Sequence, residues 1–221
     1  MRHNDTMKTP SLAAAPATPH TRPWRAAALL LVCLAPMVSA HAWNLSIAAA
    51  SRRVFLHVGN GSANADNGTV NTVSASLSGA ELIGGTAKAM TSDSTQSSSL
   101  YDGFTTCPNP TTQVMVGASY RRNNANNGPA SATLTVTSPA NLTNANGDTI
   151  PFSEISWTVA APGSPQPNVI AAGTFNGGTT TLATVSANRY IENCHTFTFA
   201  NTAVRAAGTY TGQVTYTLSS Q

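Results

Sequence analysis

The chain has 221 residues, of which only 9% are charged, and its formal net charge is +3. Four of its 11 Lys and Arg residues, but one of its 8 Asp and Glu residues, precede residue 43, so residues 43–221 carry seven of each (11 − 4 and 8 − 1) and are formally neutral. A neutral domain lacks the positive field that binding to phosphate backbones requires, so we expect no nucleic-acid partner.

The N-terminal segment has the three parts of a secretory signal peptide. Four basic residues precede an apolar run, Ala26–Val38, and small residues follow it through Ala40 and Ala42. We predict a signal peptide at 1–42, cleaved after Ala42 or, alternatively, after Ala40. A retained anchor is the competing interpretation, but the run is shorter than the roughly 20 residues that a membrane-spanning helix needs. We therefore expect one exported domain at 43–221, in the periplasm, at the cell surface or outside the cell, with no membrane span after cleavage.

Short alternating segments separated by turn residues fill the rest of the chain. Apolar residues alternate with smaller or polar ones, most clearly in Ile155–Val159. Asn-Gly pairs between segments favour hairpins, because both residues tolerate positive φ. No stretch after the signal peptide keeps a helical apolar period. The predicted strands lie at Trp43–Ala49, Val54–Val58, Val70–Leu77, Ala87–Met90, Val114–Ala118, Ala132–Val136, Ile155–Val159, Leu182–Val185, Phe197–Phe199 and Tyr210–Leu218. The pattern predicts an all-β fold, an immunoglobulin-like antiparallel β-sandwich of about eight to ten short strands.

Two cysteines, Cys107 and Cys194, belong to the predicted exported domain. In an oxidising compartment, two cysteines in one domain most simply form one disulfide bond. Because the two cysteines lie far apart in the sequence, the bond would close a long loop. Closing that loop stabilises the fold by roughly 4–5 kcal/mol in the chain-entropy model. A metal site is the weaker alternative, because Cys194-His195 has no second close pair at zinc spacing.

No motif of catalytic chemistry is present. The sequence contains neither a G-x-S-x-G nor an H-E-x-x-H stretch, and nothing pairs two of its carboxylates as a glycosidase would require. We interpret His57 as a hydrogen-bonded core or rim residue, and Glu192-Asn193-Cys194-His195 as a polar turn beside the disulfide. The sequence therefore predicts a protein that is not an enzyme, with no catalytic residue, cofactor or metal.

Aromatic residues offer a different kind of site, a surface for sugar rings. Trp157 is expected in the core, because its strand alternates strongly. The segment Tyr101-Asp102-Gly103-Phe104, just before Cys107, is the better-exposed candidate. Surface glycans are therefore one candidate partner.

The last segment has the sequence GTYTGQVTYTL, from Gly208 to Leu218. Its apolar residues alternate onto one face, on which Gly212 would leave a notch between larger side chains. The residues that define this predicted terminal strand are Gly208, Tyr210, Gly212, Val214, Tyr216 and Leu218.

This terminal strand resembles that of chaperone–usher fimbrial subunits and of spore-coat-U-like secreted proteins. Their pattern is Gly-x-Tyr-x-Gly-x-[Val/Ala]-x-Tyr, and Gly208 stands at the matching distance from the C-terminus. Two features depart from that pattern: Ser220 replaces an aromatic penultimate residue, and the two cysteines lie later in the chain. The chain also resembles secreted proteins of Gram-negative bacteria that contain GDTIPF-x-x-ISW, here Gly147–Trp157, and we attach no activity to that group.

The fimbrial resemblance implies a sandwich that lacks its last strand. A periplasmic chaperone, and later the N-terminal extension of a like subunit, supplies that strand by β-augmentation. The alternation expected of such a donor extension is present at Trp43, Leu45, Ile47 and Ala49. The sequence thus favours a fimbrial, pilin-like assembly subunit of the cell surface with a role in adhesion. The alternative is a self-complete secreted sandwich that binds carbohydrate or another surface ligand.

Overall fold

The computed structural model describes residues 51–61, 71–123, 128–163 and 168–220. The predicted signal peptide and the predicted donor residues Trp43, Leu45, Ile47 and Ala49 lie outside these ranges. The described chain consists mostly of antiparallel sheets with almost no helix, so the all-β prediction is confirmed. Its helical elements are too short to cross a membrane.

The described residues form strands β1 to β13, an α-helix α1 and a 3₁₀ turn. In chain order they are β1 Arg53–Val58, β2 Val73–Ser74, α1 Gly79–Gly84, β3 Lys88–Ala89, β4 Thr91–Ser92, β5 Val114–Arg121, β6 Ser131–Thr137, β7 Asn141–Thr143, β8 Thr149–Pro151, the 3₁₀ turn Phe152–Glu154, β9 Ile155–Ala160, β10 Gly173–Thr174, β11 Thr179–Ser186, β12 Arg189–Phe199 and β13 Thr215–Ser219.

A six-stranded sheet has the order β1-β5-β12-β9-β10, with β3 also paired to β12. Strand β5, between β1 and β12, has nearly every residue buried, so both of its faces are covered. Val114, Val116 and Ala118 point into the main core, whereas Met115 packs with the two cysteines on the opposite face. The sheet therefore has one face in the main core and a second face covered by the chain around Cys107.

A three-stranded sheet, ordered β11-β6-β13, closes the main core from the other side. On β6 the buried residues Ala132, Leu134 and Val136 alternate with Thr133 and Thr135, which are less buried. This alternation is typical of a sheet with one face in the core and one towards solvent. Across the outer face, threonines align strand by strand, as Thr179, Thr137 and Thr215 do.

The disulfide prediction is confirmed, since the sulfur atoms of Cys107 and Cys194 lie 2.01 Å apart. The bond ties the segment before β5 to the middle of β12. Trp157 is buried, as expected, and its indole N–H donates to the carbonyl of Ala171 at 2.9 Å.

Helix α1 lies in a region for which the sequence pattern predicted no helix. Ser78 caps its N-terminus by accepting a hydrogen bond from the backbone N–H of Glu81, whose carboxylate in turn accepts from the Ser78 N–H at 2.8 Å. Gly85 ends the helix with φ of 63°. The S-x-x-E capping box was the sequence signal that could have identified this helix.

Candidate assembly edge

The predicted terminal strand is shorter in the structure than in the sequence pattern. Tyr216 and Leu218 lie in β13, whereas Gly208, Tyr210, Gly212 and Val214 lie in the segment before it. That segment is held differently, because Thr211 exchanges two backbone hydrogen bonds of 3.0 Å with Thr143 of β7. The last residues of the chain thus contact the β7–β8 hairpin first and join β6 only from Thr215.

Strand β13 ends the three-stranded sheet, and β1 ends the six-stranded sheet. Among the described residues, β13 pairs only with β6 and β1 pairs only with β5. The two strands lie next to each other without pairing. The Arg52 guanidinium, just before β1, donates to the carbonyl oxygen of Ser220 at 2.6 Å and to its hydroxyl at 2.9 Å. Both sheets therefore present an edge at the same side of the core; we call this pair of strands the β1/β13 edge.

The inner face of β13 is fixed to the core by one apolar and one polar contact. Leu218 is buried, and the Tyr216 hydroxyl lies 3.3 Å from Nδ1 of His195 on β12. The His195 ring is parallel to that of Trp157, with centroids 6.2 Å apart. Burial lowers the pKa of His195 from 6.5 to about 3 and raises the pKa of Tyr216. Both side chains are therefore neutral at neutral pH.

The expectation of an open notch beside Gly212 is wrong. A Cβ atom added to Gly212 would lie 2.6 Å from Cε2 of Phe152 and 2.9 Å from Cδ2 of Leu142. Phe152 belongs to the GDTIPF stretch and Gly212 to the GTYTG stretch, so these two parts of the sequence pack against each other. The glycine is required here for close approach, and the space beside it is already filled.

The polar stretch around Cys194 lies in the middle of β12, so its interpretation as a turn is wrong. Glu192 is fully buried on the second face of the large sheet and accepts hydrogen bonds from the hydroxyls of Tyr190 and, at 2.7 Å, Thr106. Burial raises the pKa of Glu192. Asn193 points the other way and accepts from the backbone N–H groups of Val169 and Ile170 at 3.0 and 3.1 Å. A carboxylate with Tyr190 and Cys194 two positions away on either side, on the same face of a strand, was the sequence signal for this buried cluster.

His57 lies on the same face as Glu192, since Gly117 is the register partner of both residues. Its side chain is fully buried, and neither ring nitrogen bonds to a described residue. Burial lowers the pKa of His57. Within the described ranges, no three His, Cys, Asp or Glu side chains come close enough together to hold a metal ion.

No family model matches the chain, and no curated protein or solved structure is significantly similar to it.

Proposed function

We propose that this chain is an exported subunit of a bacterial cell-surface fibre and that it assembles by β-strand donation. Its fold would be an immunoglobulin-like sandwich completed by a strand from a neighbouring copy. The observation that carries the proposal is the β1/β13 edge, where the last strand of each sheet has a strand partner on one side only among the described residues. Unpaired edges present backbone N–H and C=O groups to which an added strand can bond.

The composition of β13 supports an edge that accepts a partner. Proteins that avoid edge-to-edge pairing place lysine, proline or inward-pointing charges on their edge strands. The strand Thr215–Ser219 contains none of these and has the sequence TYTLS. Its backbone is therefore left suitable for pairing, and the Arg52 guanidinium contacts Ser220, just after the end of the strand.

The proposed donor is the segment Trp43–Ala49 of a like subunit. Its alternating apolar residues would face the core between β1 and β13, with Leu45 and Ile47 as the principal inserted side chains. Since the space beside Gly212 is filled by Phe152, the donor side chains would bind along Tyr216 and Leu218 instead. Before assembly, a periplasmic chaperone would cover the same edge.

Two aspartate variants on opposite faces of the donor segment test the proposal. Ile47→Asp places a charge on the face that would enter the core, and Ser46→Asp places the same charge on the other face. In sedimentation velocity of the exported protein, we expect wild type and Ser46→Asp to form oligomers and Ile47→Asp to remain monomeric with a folded circular dichroism spectrum.

A self-complete sandwich gives a different result in the same experiment. If residues 43–49 pair within their own chain, all three proteins sediment as monomers, and Ile47→Asp lowers only the thermal stability. That outcome would remove strand donation and leave an exported β-protein that acts as a monomer.

A further inference from the structure

The outer face of the three-stranded sheet β11-β6-β13 consists of threonine and serine side chains. Apart from the bulge after Thr181, every second residue of each strand points outwards, and each of these residues is exposed or half-buried. Row by row across the sheet they are Thr179, Thr137 and Thr215; Thr181, Thr135 and Thr217; Thr184, Thr133 and Ser219; and Ser186 and Ser131. We call this surface the threonine face.

No residue of the threonine face carries a charge. When two copies of one face meet around a twofold axis, side chains of like charge meet as well and repel each other, so an uncharged face avoids this repulsion. A hydroxyl group both donates and accepts hydrogen bonds, so two faces that bear hydroxyls can satisfy each other. Within the face, the hydroxyl oxygens of Thr137 and Thr179 already lie 2.8 Å apart. The threonine face is therefore complementary to itself in charge and in hydrogen bonding.

The exposed aromatic side chains that the sequence offered for sugar binding lie elsewhere. Tyr101 and Phe104 are exposed in the loop before Cys107, and the threonine face has no aromatic residue. Because small-molecule sites are lined largely by apolar and aromatic side chains, a glycan is the weaker candidate for this face.

The threonine face is too small to hold two separate subunits together. Three strands about 4.8 Å apart, with about 3.4 Å per residue along the seven residues of β6, give a face of roughly 300–350 Å². A stable complex of two proteins buries about 800 Å² on each partner. A fibre repeats the face with every copy, and once one pair of faces has met, the next pairs form at a high effective concentration. Contact between fibres is therefore favoured where contact between monomers is not.

The proposed donor strand would continue the threonine face without adding charge. If the apolar residues of Trp43–Ala49 face the core beside β13, the residues between them face outwards with Thr215 and Thr217. These outward residues are Asn44, Ser46 and Ala48. All three are small and uncharged, so the face would gain a fourth strand of the same character.

We propose that the threonine face binds the threonine face of a neighbouring fibre, so that fibres of this subunit associate side by side into bundles. The inference rests on the proposed strand donation, which supplies the fibre. The two sheets would pack face to face with their strands within about 30° of each other, as twisted sheets do. Because threonine and serine are small, the backbones of the two sheets can approach closely.

Opposite charges introduced at one position of the threonine face test this contact. Thr181 lies on β11, across the sheet from β13, so Thr181→Lys and Thr181→Glu leave the β1/β13 edge unchanged. Thr158→Lys is the matched control, because Thr158 is an exposed threonine on β9 of the large sheet. Fibres are imaged by negative-stain electron microscopy, and light scattering follows bundling at low and high salt. Thermal unfolding checks that each variant is folded, and the same pair of substitutions at Thr184, on the same strand and face, replaces a Thr181 variant that is not.

We expect fibres of the wild type and of Thr158→Lys to form bundles. Fibres of Thr181→Lys alone, and of Thr181→Glu alone, should lose bundling at low salt, because like charges meet across the contact, and high salt should reduce this loss. An equal mixture of the two kinds of fibre should bundle again, because opposite charges then meet.

Wild-type fibres that stay single would overturn this inference and leave strand donation intact. Bundles of Thr181→Lys fibres at low salt, or a mixture that bundles no better than its components, would overturn it in the same way. A wild-type protein that forms no fibres would remove strand donation and this inference together.

Discussion

The hydroxyl of Tyr216 on β13 lies 3.3 Å from Nδ1 of His195 on β12, so a polar contact joins the terminal strand to the large sheet across the core. The partner is a buried neutral histidine, parallel to Trp157. Protonating His195 would place a charge among apolar rings directly beneath β13. The attachment of the terminal strand is therefore sensitive to acid.

We expect the free energy of unfolding to fall as the pH is lowered from 6.5 towards 3. The folded pKa of His195 is lowered to about 3, so in this interval the unfolded chain binds a proton that the folded chain does not. Each such histidine changes stability by about 1.4 kcal/mol per pH unit. The pKa of His57 is also lowered, and it contributes in the same direction.

Urea unfolding at pH 7.5 and pH 5 measures this dependence, with His195→Phe as the comparison variant. Phenylalanine keeps an aromatic ring beside Trp157 but cannot titrate, so the variant should lose part of the acid sensitivity. An unchanged pH slope in His195→Phe would show that His195 is not the group responsible.

Glu192 makes the free energy of unfolding depend on pH with a sign opposite to that of His195. Its pKa is raised by burial, so its contribution to stability is fully present below the ordinary value of 4.5 and is lost as the pH rises through the folded pKa. Glu192→Gln should remove this alkaline loss while filling the same volume. Glu192→Ala should cost roughly 2–4 kcal/mol, since it leaves a cavity and the hydroxyls of Tyr190 and Thr106 without their acceptor. Equal denaturation midpoints for the two variants at pH 7 would contradict this role.

The Cys107–Cys194 bond should account for several kcal/mol of stability. A loop of 87 residues corresponds to roughly 4–5 kcal/mol in the chain-entropy model. We expect the intact mass of the exported protein to be lower by two hydrogens and the melting temperature to fall on reduction. The Cys107→Ser, Cys194→Ser double variant should match the reduced protein. Two thiols that react with iodoacetamide before reduction would contradict the bond.

Gly212→Leu should unfold or strongly destabilise the protein. The new side chain would overlap Phe152 and Leu142, and overpacking of this kind costs about 1–3 kcal/mol or more. Gly79→Ala is the matched control, because a Cβ at this position in α1 meets no atom within 4 Å. Thermal unfolding compares the two variants. Wild-type stability of the Gly212→Leu protein would contradict this packing and support the open notch that the sequence predicted.

The strands were predictable from the sequence where apolar alternation matches burial on one face. Ile155–Val159 and Ala132–Val136 became β9 and β6 for this reason. The packing beside Gly212 was not predictable in this way, since an alternating pattern shows which face a glycine lies on but not which distant side chain fills the space above it.

The burial of the second face of the large sheet could not be predicted from the alternation of apolar residues along the strands. The sequence led us to interpret Glu192 as part of a polar turn and His57 as a hydrogen-bonded core or rim residue. The core position of His57 is confirmed, but its ring nitrogens form no hydrogen bond with a described residue. Both residues are buried because the segment that ends at Cys107 covers the sheet a second time. The disulfide was predictable, but the layer that it fixes became visible only with tertiary contacts.

The most direct test of strand donation is peptide complementation. A variant lacking residues 43–50 is mixed with a synthetic peptide of Trp43–Ala50, and melting temperature is measured against peptide concentration. At 100 times its dissociation constant, a peptide stabilises the folded state by about 2.7 kcal/mol, or several degrees for a domain of this size. We expect this rise, and none with the Ile47→Asp peptide. A truncated protein that is a stable monomer with a melting temperature indifferent to either peptide would contradict the account.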